Sequence, residues 1–450
     1  PRKKAGSFLF KLKNNENSDK ISHMKYHIIT FGCQMNISDS ERIATTLNDI
    51  GYSKTAKMED ADLLVITMCS VRQSAVDRVF GKTNKFKEIK KKNPNFKSVL
   101  TGCILKNDYK KFKKYFDYIL PIKFLNEWEE FLEDDSYCCL PDQREESFCR
   151  EYKDDYFVKQ PASSSNFSAL IPISTGCDNF CTFCVVPYTR GPLINRNHKD
   201  IVGEARSLIE KGAKEIWLLG QNVNSYKSGE VNFSTLLQKV NNIEGDFWIR
   251  FTSSHPKDFS NNLIRTIKEC EKVTEYLNLP VQSGDNEILK KMNRPYTIEE
   301  YKEMIERTRK EIPNICLSTD IIVGFPGETE EHFQNTVKLF KEVKFDMAYI
   351  SQYSHREKPG RIKDNVSKET KVKREKILTE ILKETALEKN KKHIGEEERV
   401  LTNKKKNDFI IGKNRFYKTV KIKSNKSSIG EFLNVKITNA THWGLEGELI

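Results

Sequence analysis

Six of the eleven cysteines in this 450-residue chain lie in patterns that suit a metal centre. Cys177, Cys181 and Cys184, the loop cysteines, form a C-x3-C-x2-C run in which three thiolates can bind one centre. Soft sulfur ligands select zinc, copper(I) or iron–sulfur clusters. A structural zinc site normally has a fourth ligand, but the next cysteine or histidine is His198, fourteen residues after Cys184. We therefore favour an iron–sulfur cluster with one open iron over a zinc loop or unreactive thiols.

A second set of cysteines follows three strand-like runs that are far apart in the chain. Cys33 follows YHIITFG, Cys69 follows ADLLVITM, and Cys103 follows KSVLTG; we call them the strand-end cysteines. The carboxyl ends of parallel strands meet at one edge of an open α/β sheet, where ligands gather. We therefore expect the three thiols to converge into a second three-ligand site. The alternative is three buried cysteines, because free cysteine is among the most buried residue types.

The elements that must position these cysteines form two α/β regions. Residues 24–135 alternate β-branched runs with amphipathic stretches, which predicts an open parallel α/β sheet. A helix is expected in DSERIATTLNDIG, with Asp39 near its start and Gly51 just past its end. Residues 168–355 contain six strand-like runs, typical of a partial (β/α)6 barrel. The loop cysteines directly follow the first of these runs, which places them at the carboxyl end of the barrel, where barrel active sites lie.

The remaining segments complete the expected domain organisation. Residues 1–23 are expected to be a disordered basic extension, and residues 136–167 a polar linker. The charged stretch 361–394 predicts a long helix at the end of a core domain, residues 168–392. Residues 393–450 contain only short β-rich segments, which predicts a small antiparallel β-barrel.

Charge and composition narrow the classes of function. Lys and Arg number 76 against 63 Asp and Glu, and the net charge of +13 suits a polyanion such as nucleic acid. A lysine-rich solvated surface gives the same sign. No apolar run of eighteen residues is present, so we expect no membrane association. The sequence has eleven cysteines and no recognisable secretory signal, which favours a reducing, cytoplasmic location. Cys270 and Cys316 are expected in the core, and Cys138, Cys139 and Cys149 receive no role.

These features together resemble the methylthiotransferase branch of the radical S-adenosylmethionine (SAM) enzymes, over residues 24–450. The similar stretches are TFGCQMNISDSE, EDADLLVITMCSVR, GCDNFCTFCVVPYTRG, LLGQNVNSY, RFTSSHPKD, LPVQSGDNEILKKMNR and DIIVGFPGETEE. VVPYTRG and LLGQNVN are most similar to the group that modifies N6-dimethylallyladenosine in tRNA. Met68, GPLINRNHKD and the residues after Cys103 depart from the family pattern, but no cysteine is lost; the second departure could alter a substrate-facing loop.

The resemblance implies a reaction and its cofactors. The loop cysteines would hold a [4Fe–4S] cluster that binds SAM and generates a 5′-deoxyadenosyl radical, and the strand-end cysteines an auxiliary [4Fe–4S] cluster that carries sulfur. The implied product is a methylthio group at C2 of the modified adenosine next to the anticodon, with two SAM molecules consumed. Implied partners are tRNA, a reductase and an iron–sulfur or sulfur donor, and we expect a monomer. For the two clusters to cooperate, the N-terminal sheet must dock its carboxyl edge over the barrel mouth.

Two alternatives to this function stay open at this point. One keeps the chemistry and changes the substrate to threonylcarbamoyl-adenosine in tRNA or to ribosomal protein S12. The other is a non-catalytic, metal-containing RNA-binding protein. It accounts for the charge, the small barrel and the cysteines, but not for an incomplete metal shell at a barrel mouth.

Polar residues at the ends of barrel strands are the expected SAM contacts, although each could be an ordinary loop residue. They are Gln221, Asn222, Ser253, Ser254, Gln282, Ser283, Asp320 and Gly324. Phe180 and Phe183, which alternate with the loop cysteines, are expected to shield the cluster.

The C-terminal segment resembles a TRAM domain, a small RNA-binding β-barrel. Residues 393–450 carry 11 basic and 7 acidic residues. The expected phosphate contacts are Lys404–Lys406, Lys413, Arg415, Lys418, Lys421 and Lys423. The aromatic residues expected to stack on bases are Phe416, Tyr417 and Trp443. Two further lysine-rich runs that could extend this surface, or could be ordinary solvated faces, are Lys90–Lys92 and Lys110–Lys114.

Overall fold

The computed structural model describes most of the chain. The described residues are 24–71, 73–133, 154–157, 159, 161, 165–356, 362–424 and 428–450. The expected extension 1–23, most of the expected linker 136–167, and Cys138, Cys139 and Cys149 lie outside them.

The N-terminal region is a five-stranded sheet in which every pairing is parallel, in the order β2-β1-β3-β4-β5. The strands are β1 Lys25–Phe31, β2 Ser53–Lys54, β3 Leu63–Cys69, β4 Lys97–Cys103 and β5 Tyr118–Ile119. The helices are α1 Gln34–Asp49, α2 Gln73–Lys92, α3 Lys106–Phe112 and α4 Trp128–Glu133. The central strand β3 is buried at all its positions, as its continuous apolar sequence requires.

Helix α1 begins earlier than its sequence indicated. The backbone N–H of Cys33 donates to the Asn36 side chain (3.3 Å), which caps the helix at Gln34. Asp39 therefore lies inside the helix and is fully buried, so the expectation of Asp39 near the helix start was wrong. Its carboxylate forms an ion pair with the barrel domain, which a helix-terminal position would not explain.

Six parallel strands form the partial barrel, which confirms the expected architecture. They are β6 Ser168–Pro172, β7 Glu215–Leu219, β8 Trp248–Phe251, β9 Tyr276–Asn278, β10 Cys316–Val323 and β11 Met347–Gln352. They form the sheets β8-β7-β6 and β9-β10-β11, which a parallel bridge joins between Ile249 and Val273. Cys270 and Cys316 are buried, as expected.

Seven helices belong to the barrel region. They are α5 Val186–Thr189, α6 His198–Glu210, α7 Phe233–Asn241, α8 Asn261–Glu269, α9 Asn286–Lys291, α10 Ile298–Glu311 and α11 Glu330–Val343. Polar residues cap most of them; Thr297, for example, forms a capping box with Glu300 at the start of α10. Two short antiparallel pairs add to the loops: Ser174–Thr175 with Ile194–Asn195, and Lys227–Ser228 with Val231–Asn232.

The long helix α12 Lys368–Lys391 leads into a closed five-stranded barrel. Its strands are β12 Glu397–Lys406, β13 Phe409–Asn414, β14 Thr419–Lys423, β15 Phe432–Thr441 and β16 Gly444–Leu449. Four neighbouring pairs are antiparallel, but β14 and β16 run parallel. The expected small antiparallel barrel is therefore confirmed; it contains one parallel pair because an odd number of strands in a closed ring cannot alternate in direction throughout.

The three units pack directly on one another. The Ser38 hydroxyl of α1 donates to the Leu170 carbonyl of β6 (3.3 Å), and Met35 packs beside Leu170 and Trp217. Arg250 of β8 donates to the Asn414 carbonyl at the end of β13 (2.7 Å), which joins the core to the C-terminal barrel. Among the described helices, none combines the length and the apolar character needed to cross a bilayer.

Candidate active site

A cavity of about 510 Å³ lies between the N-terminal sheet and the mouth of the barrel. Cys33 and Gln34 line it from the N-terminal side, and the three loop cysteines line it from the barrel side. The volume lies within the range of small-molecule sites. The carboxyl edge of the sheet is therefore docked over the barrel mouth, and this geometric prediction is confirmed.

The strand-end cysteines converge because their strands are neighbours. Cys69 and Cys103 lie opposite each other at the ends of β3 and β4, and a hydrogen bond between them lowers the pKa of the Cys69 thiol. Cys69 and Cys103 are buried, whereas Cys33 is exposed toward the cavity. Gly102 allows this close approach: its φ is +104°, and an added Cβ would lie 2.4 Å from the Met68 carbonyl oxygen.

The loop cysteines are held by backbone contacts on both sides of the loop. The Cys177 N–H donates to the Gly191 carbonyl (3.2 Å), and the Cys184 N–H donates to the Cys181 carbonyl (2.9 Å). Burial raises the pKa of the Cys177 thiol. Gly176, with φ of +74°, leaves space for the Pro192 carbonyl, which an added Cβ would meet at 1.9 Å. The loop therefore depends on a glycine immediately before its first thiol.

A buried arginine contacts each cysteine set. Arg190 donates its Nε–H to Cys103 Sγ (2.9 Å), and Arg294 donates from Nη1 to Cys181 Sγ (3.8 Å). Cysteine binds an iron–sulfur cluster as a thiolate, and an arginine beside the sulfur favours that charged form. Among the residues that the structure describes, no three His, Cys, Asp or Glu side chains are grouped to hold a single metal ion. The fit to a cluster rests on this donor chemistry and on the position of four of the thiols at the cavity.

Five of the eight expected SAM contacts line the cavity. They are Gln221, Ser253, Ser254, Gln282 and Asp320. Ser253 and Gln282 have left-handed backbones, with φ of +64° and +73°. Two more of the seven non-glycine residues found with positive φ in the described chain, Phe180 and Tyr417, line the same cavity. Backbone strain of this kind concentrates at functional sites, which supports the assignment of the cavity as the active site.

The other three expected SAM contacts do not reach the cavity. Asn222 is buried and donates to Asp258 (2.6 Å), so it fixes a neighbouring loop. Ser283 is buried and accepts a hydrogen bond from the backbone N–H of Asp285 (3.3 Å). Gly324 leaves space for Lys371, whose Cγ an added Cβ would meet at 2.3 Å. In the structure these three residues serve packing or a turn, and their contact with SAM stays a prediction.

His255 lines the cavity and was missed from the sequence. Its side chain is only 5% exposed, its Nδ1 accepts from the Lys257 N–H (3.2 Å), and its Nε2 has no hydrogen-bond partner among the described residues. Burial, with the nearby Arg294 and Lys257 charges, lowers the pKa of His255 to about 2, so the ring is neutral. The sequence signal that could have identified His255 is its position next to Ser254, in the loop that follows the barrel strand β8.

Aromatic rings form another wall of the cavity that the sequence did not reveal. Trp217, Tyr276 and Tyr349 come from the barrel, and Tyr417 comes from the C-terminal barrel. The Tyr417 ring centroid lies 5.2 Å from that of Trp217 and 4.7 Å from that of Tyr276. Phe180 also lines the cavity but is more than half exposed, so it covers the loop cysteines only partly.

The C-terminal residues expected to contact RNA divide into two groups. Phe416 and Tyr417 pack against the core barrel, Lys413 donates to Thr419 (2.9 Å), and Arg415 pairs with Glu275 (2.7 Å). Lys418 is buried against Asp346, so the expectation of a phosphate contact was wrong there. The second group is exposed: Lys404–Lys406, Lys421, Lys423 and Trp443. The lysine-rich runs Lys90–Lys92 and Lys110–Lys114 are also largely exposed.

Comparisons with known proteins agree with this arrangement. Residues 25–120 match the uncharacterized protein family UPF0004, residues 171–340 match the radical SAM superfamily, and residues 391–450 match the TRAM domain. In fold, the chain is similar to the radical S-adenosylmethionine methyltransferase TsrM from Kitasatospora setae, with a TM-score of 0.56, 14% identity and 73% of each chain covered.

Similarity to curated proteins extends over nearly the whole chain. The tRNA-2-methylthio-N(6)-dimethylallyladenosine synthase of Thermoanaerobacter pseudethanolicus is 40% identical over 454 residues, covering 98% of this chain and 95% of the relative. The protein of the same name from Clostridium botulinum strain Langeland is 41% identical over 442 residues, covering 95% and 97%. The chain therefore belongs to the family of tRNA-2-methylthio-N6-dimethylallyladenosine synthases, within the radical SAM superfamily.

Proposed function

We propose that this protein inserts a methylthio group at C2 of N6-dimethylallyladenosine next to the anticodon of tRNA, in a reaction that uses SAM. The observation that carries the proposal is the shared cavity. Cys33 of the N-terminal sheet and the three loop cysteines of the barrel line one space of about 510 Å³. Two sulfur-ligand sets that meet at one cavity, the strand-end set through Cys33, suit a reaction that generates a radical and inserts sulfur at the same carbon.

The two cysteine sets have separate roles in this proposal. Membership of the radical SAM superfamily implies an iron–sulfur cluster and SAM; we assign one [4Fe–4S] cluster to the loop cysteines and a second, auxiliary one to the strand-end cysteines. When bound, the clusters supply the electron for radical formation from SAM and the sulfur for insertion. The protein contributes position, charge and exclusion of water.

The cavity walls suit the two organic ligands. Gln221, Ser253, Gln282 and Asp320 offer donors and acceptors on the barrel side, as the amino acid part and ribose of SAM require. The aromatic wall offers stacking surfaces, and base–aromatic stacking contributes about 1–3 kcal/mol per base. An adenine that enters this cavity must leave the base stack of the RNA, as in enzymes that flip their target base.

The surrounding domains complete the proposal. Residues 24–135 form the auxiliary-cluster domain, residues 168–392 the radical SAM core, and residues 393–450 the TRAM domain, which binds tRNA through its exposed lysines and Trp443. A reductase and a sulfur or iron–sulfur donor act with it. We place the protein in the cytoplasm as a monomer.

Anaerobic reconstitution followed by nucleoside analysis tests this function. Iron and sulfide should reach about eight each per chain, as two four-iron clusters require. Cys177→Ala should abolish SAM cleavage, whereas Cys33→Ala should retain SAM cleavage and stop sulfur insertion. Cys270→Ala is the matched control, because this buried thiol belongs to neither set, and it should retain both activities.

Specific outcomes contradict the proposal. Zinc without sulfide after reconstitution would support a non-catalytic metal protein instead. Methylthio-adenosine formed by the Cys33→Ala variant would refute the assignment of the sulfur site. Nucleosides from a deletion strain, analysed by mass spectrometry, should lack the methylthio form of N6-dimethylallyladenosine. Loss of the methylthio form of threonylcarbamoyl-adenosine instead would show that threonylcarbamoyl-adenosine is the substrate.

A further inference from the structure

Arg190 links the two domains at the strand-end cysteines. It directly follows helix α5 and lies six residues after Cys184, so its backbone belongs to the radical SAM core. Its side chain crosses to the N-terminal domain, where Nε donates to Cys103 Sγ (2.9 Å) and Nη2 donates to Asp39 Oδ2 (2.6 Å). Arg190 is 4% exposed, and Asp39 is fully buried.

The orientation of the guanidinium is fixed by the Asp39 carboxylate. Nη1 of Arg190 also reaches Asp39 Oδ1 (3.4 Å), so the two groups pair through both terminal nitrogens. Tyr156 donates its hydroxyl to Asp39 Oδ1 (2.5 Å), and Asn36 donates to Oδ2 (3.4 Å). With both terminal nitrogens directed at the carboxylate, the Nε–H is left to point at sulfur. A planar guanidinium allows this geometry, and an ammonium group does not.

The charge beside Cys103 is permanent. An arginine in a protein stays protonated, and water does not screen it here because both partners are buried. Hydrogen bonds to the ligand sulfurs and local net charge set the reduction potential of an iron–sulfur cluster. A cationic donor on Cys103 stabilises the more negative, reduced state of a cluster bound through that sulfur. Asp39 lies behind the guanidinium, farther from the sulfur, and partly opposes this effect.

We propose that Arg190 is a positioning residue that raises the reduction potential of the auxiliary cluster through Cys103, and that Asp39 limits the size of this increase. The inference rests on the proposed function in one respect: the strand-end cysteines hold a cluster. It predicts the direction in which each residue changes the reduction potential. Removing the guanidinium should lower the potential, and neutralising the carboxylate should raise it.

The test uses the full chain with Cys177, Cys181 and Cys184 replaced by alanine, so that only the auxiliary cluster remains. Iron is measured first, and the potential then follows from a redox titration monitored by electron paramagnetic resonance. In this background, Arg190→Gln should shift the ratio of oxidised to reduced cluster at a fixed potential by about tenfold toward the oxidised form. For a one-electron couple this is a decrease of about 59 mV.

Further variants separate tuning from simple disruption. Asp39→Asn, which is nearly isosteric, should shift the ratio in the opposite direction. Arg190→Lys keeps the charge but loses the Nε–H, so its reduction potential should lie between those of Arg190→Gln and the parent. If Arg190→Gln loses iron, the potential of Arg190→Lys tests the role of Arg190 instead. Arg294→Gln is the matched control: it removes the buried arginine that contacts the other cysteine set, beside residue 181, and should leave the potential unchanged.

Each outcome has a defined meaning. A parent protein that holds no four-iron cluster at the strand-end cysteines contradicts the proposed function itself. Clusters with full iron and equal potentials in the parent and the Arg190 variants overturn the role of Arg190 while the proposed function stands. Shifts of the same sign in Arg190→Gln and Asp39→Asn also overturn it, because disruption, rather than opposed charges, would then explain both.

Discussion

The C-terminal barrel is held on the core by a buried arginine, and replacing that residue should loosen the interface by a calculable amount. Arg250 of β8 is buried and pairs with Glu215 (2.5 Å) inside the core. Its other nitrogens donate to the carbonyls of Asn414 (2.7 Å) and Arg415 (3.1 Å) in the C-terminal barrel. Arg250→Lys keeps a positive charge beside Glu215 but lacks the fork that reaches both carbonyls.

The magnitude follows from the two lost hydrogen bonds. A bond to a charged group contributes about 1.5–3 kcal/mol, so two bonds at the lower end give about 3 kcal/mol. At about 1.4 kcal/mol per factor of ten, the equilibrium for separating the two units should rise by roughly 150-fold. Arg399 and Asp246 form an ion pair across the same interface, and both of its side chains are exposed. Such pairs contribute about 0–1 kcal/mol, so Arg399→Ala should raise the equilibrium by less than about fivefold.

Cys316 provides the assay, because its buried thiol lies in the apolar cluster against which Phe416 and Tyr417 of the C-terminal barrel pack. Its alkylation rate, measured peptide by peptide with mass spectrometry, should increase in proportion to the separation equilibrium. Cys270, which is buried in the main core cluster, is the internal control. A rise of less than tenfold at Cys316 in Arg250→Lys, or an equal rise at Cys270, would refute the reasoning.

Three further predictions concern stability and RNA binding. The pKa of His255 is lowered to about 2 in the folded protein but is about 6.5 in an unfolded chain, so the free energy of unfolding of the apoprotein should decrease as pH falls below about 6.5, by about 2 kcal/mol at pH 5. In urea titrations, His255→Asn should make the free energy of unfolding less dependent on pH. An unchanged pH dependence in that variant would contradict this prediction. Gly284→Ala places a Cβ 2.4 Å from Thr336 Cα and should destabilise the folded protein by about 1–3 kcal/mol. Gly203→Ala, which has open space around it in helix α6, should stabilise the folded protein by up to about 1 kcal/mol. Similar changes in melting temperature for the two variants would contradict the packing argument. Trp443→Ala, which removes an exposed ring, should weaken tRNA binding by about 1–3 kcal/mol without loss of iron, and unchanged affinity in filter binding would exclude stacking there.

The sequence predicted the convergence of the strand-end cysteines because parallel strands obey a simple rule. Cys69 and Cys103 end adjacent strands, so their proximity follows once the strands are identified. Asp39 shows where such reasoning fails. Its partner Arg190 lies 151 residues later in another domain, and no local pattern distinguishes a carboxylate that caps a helix from one that forms a distant buried pair.

The C-terminal barrel shows a second limit, which comes from charge. A lysine that contacts phosphate and a lysine that binds a neighbouring domain have the same side chain and often the same sequence context. Lys418 pairs with Asp346 in the core, and Tyr417 packs on Trp217 and Tyr276. Composition identified the domain as basic and aromatic but could not assign these residues, because their partners lie more than sixty residues away in the chain.

The position of Tyr417 gives the C-terminal barrel a structural role in addition to the proposed RNA binding. The cavity is walled by Cys33 from the N-terminal sheet, the loop cysteines from the core, and Tyr417 from the C-terminal barrel. Arg250 holds the backbone of Asn414 and Arg415, two to three residues before Tyr417. The unit that we propose to bind tRNA is therefore held by a buried arginine close to the point where its chain lines the candidate active site. Loosening that interface should therefore disturb the wall of the cavity, because Tyr417 closely follows the backbone that Arg250 holds.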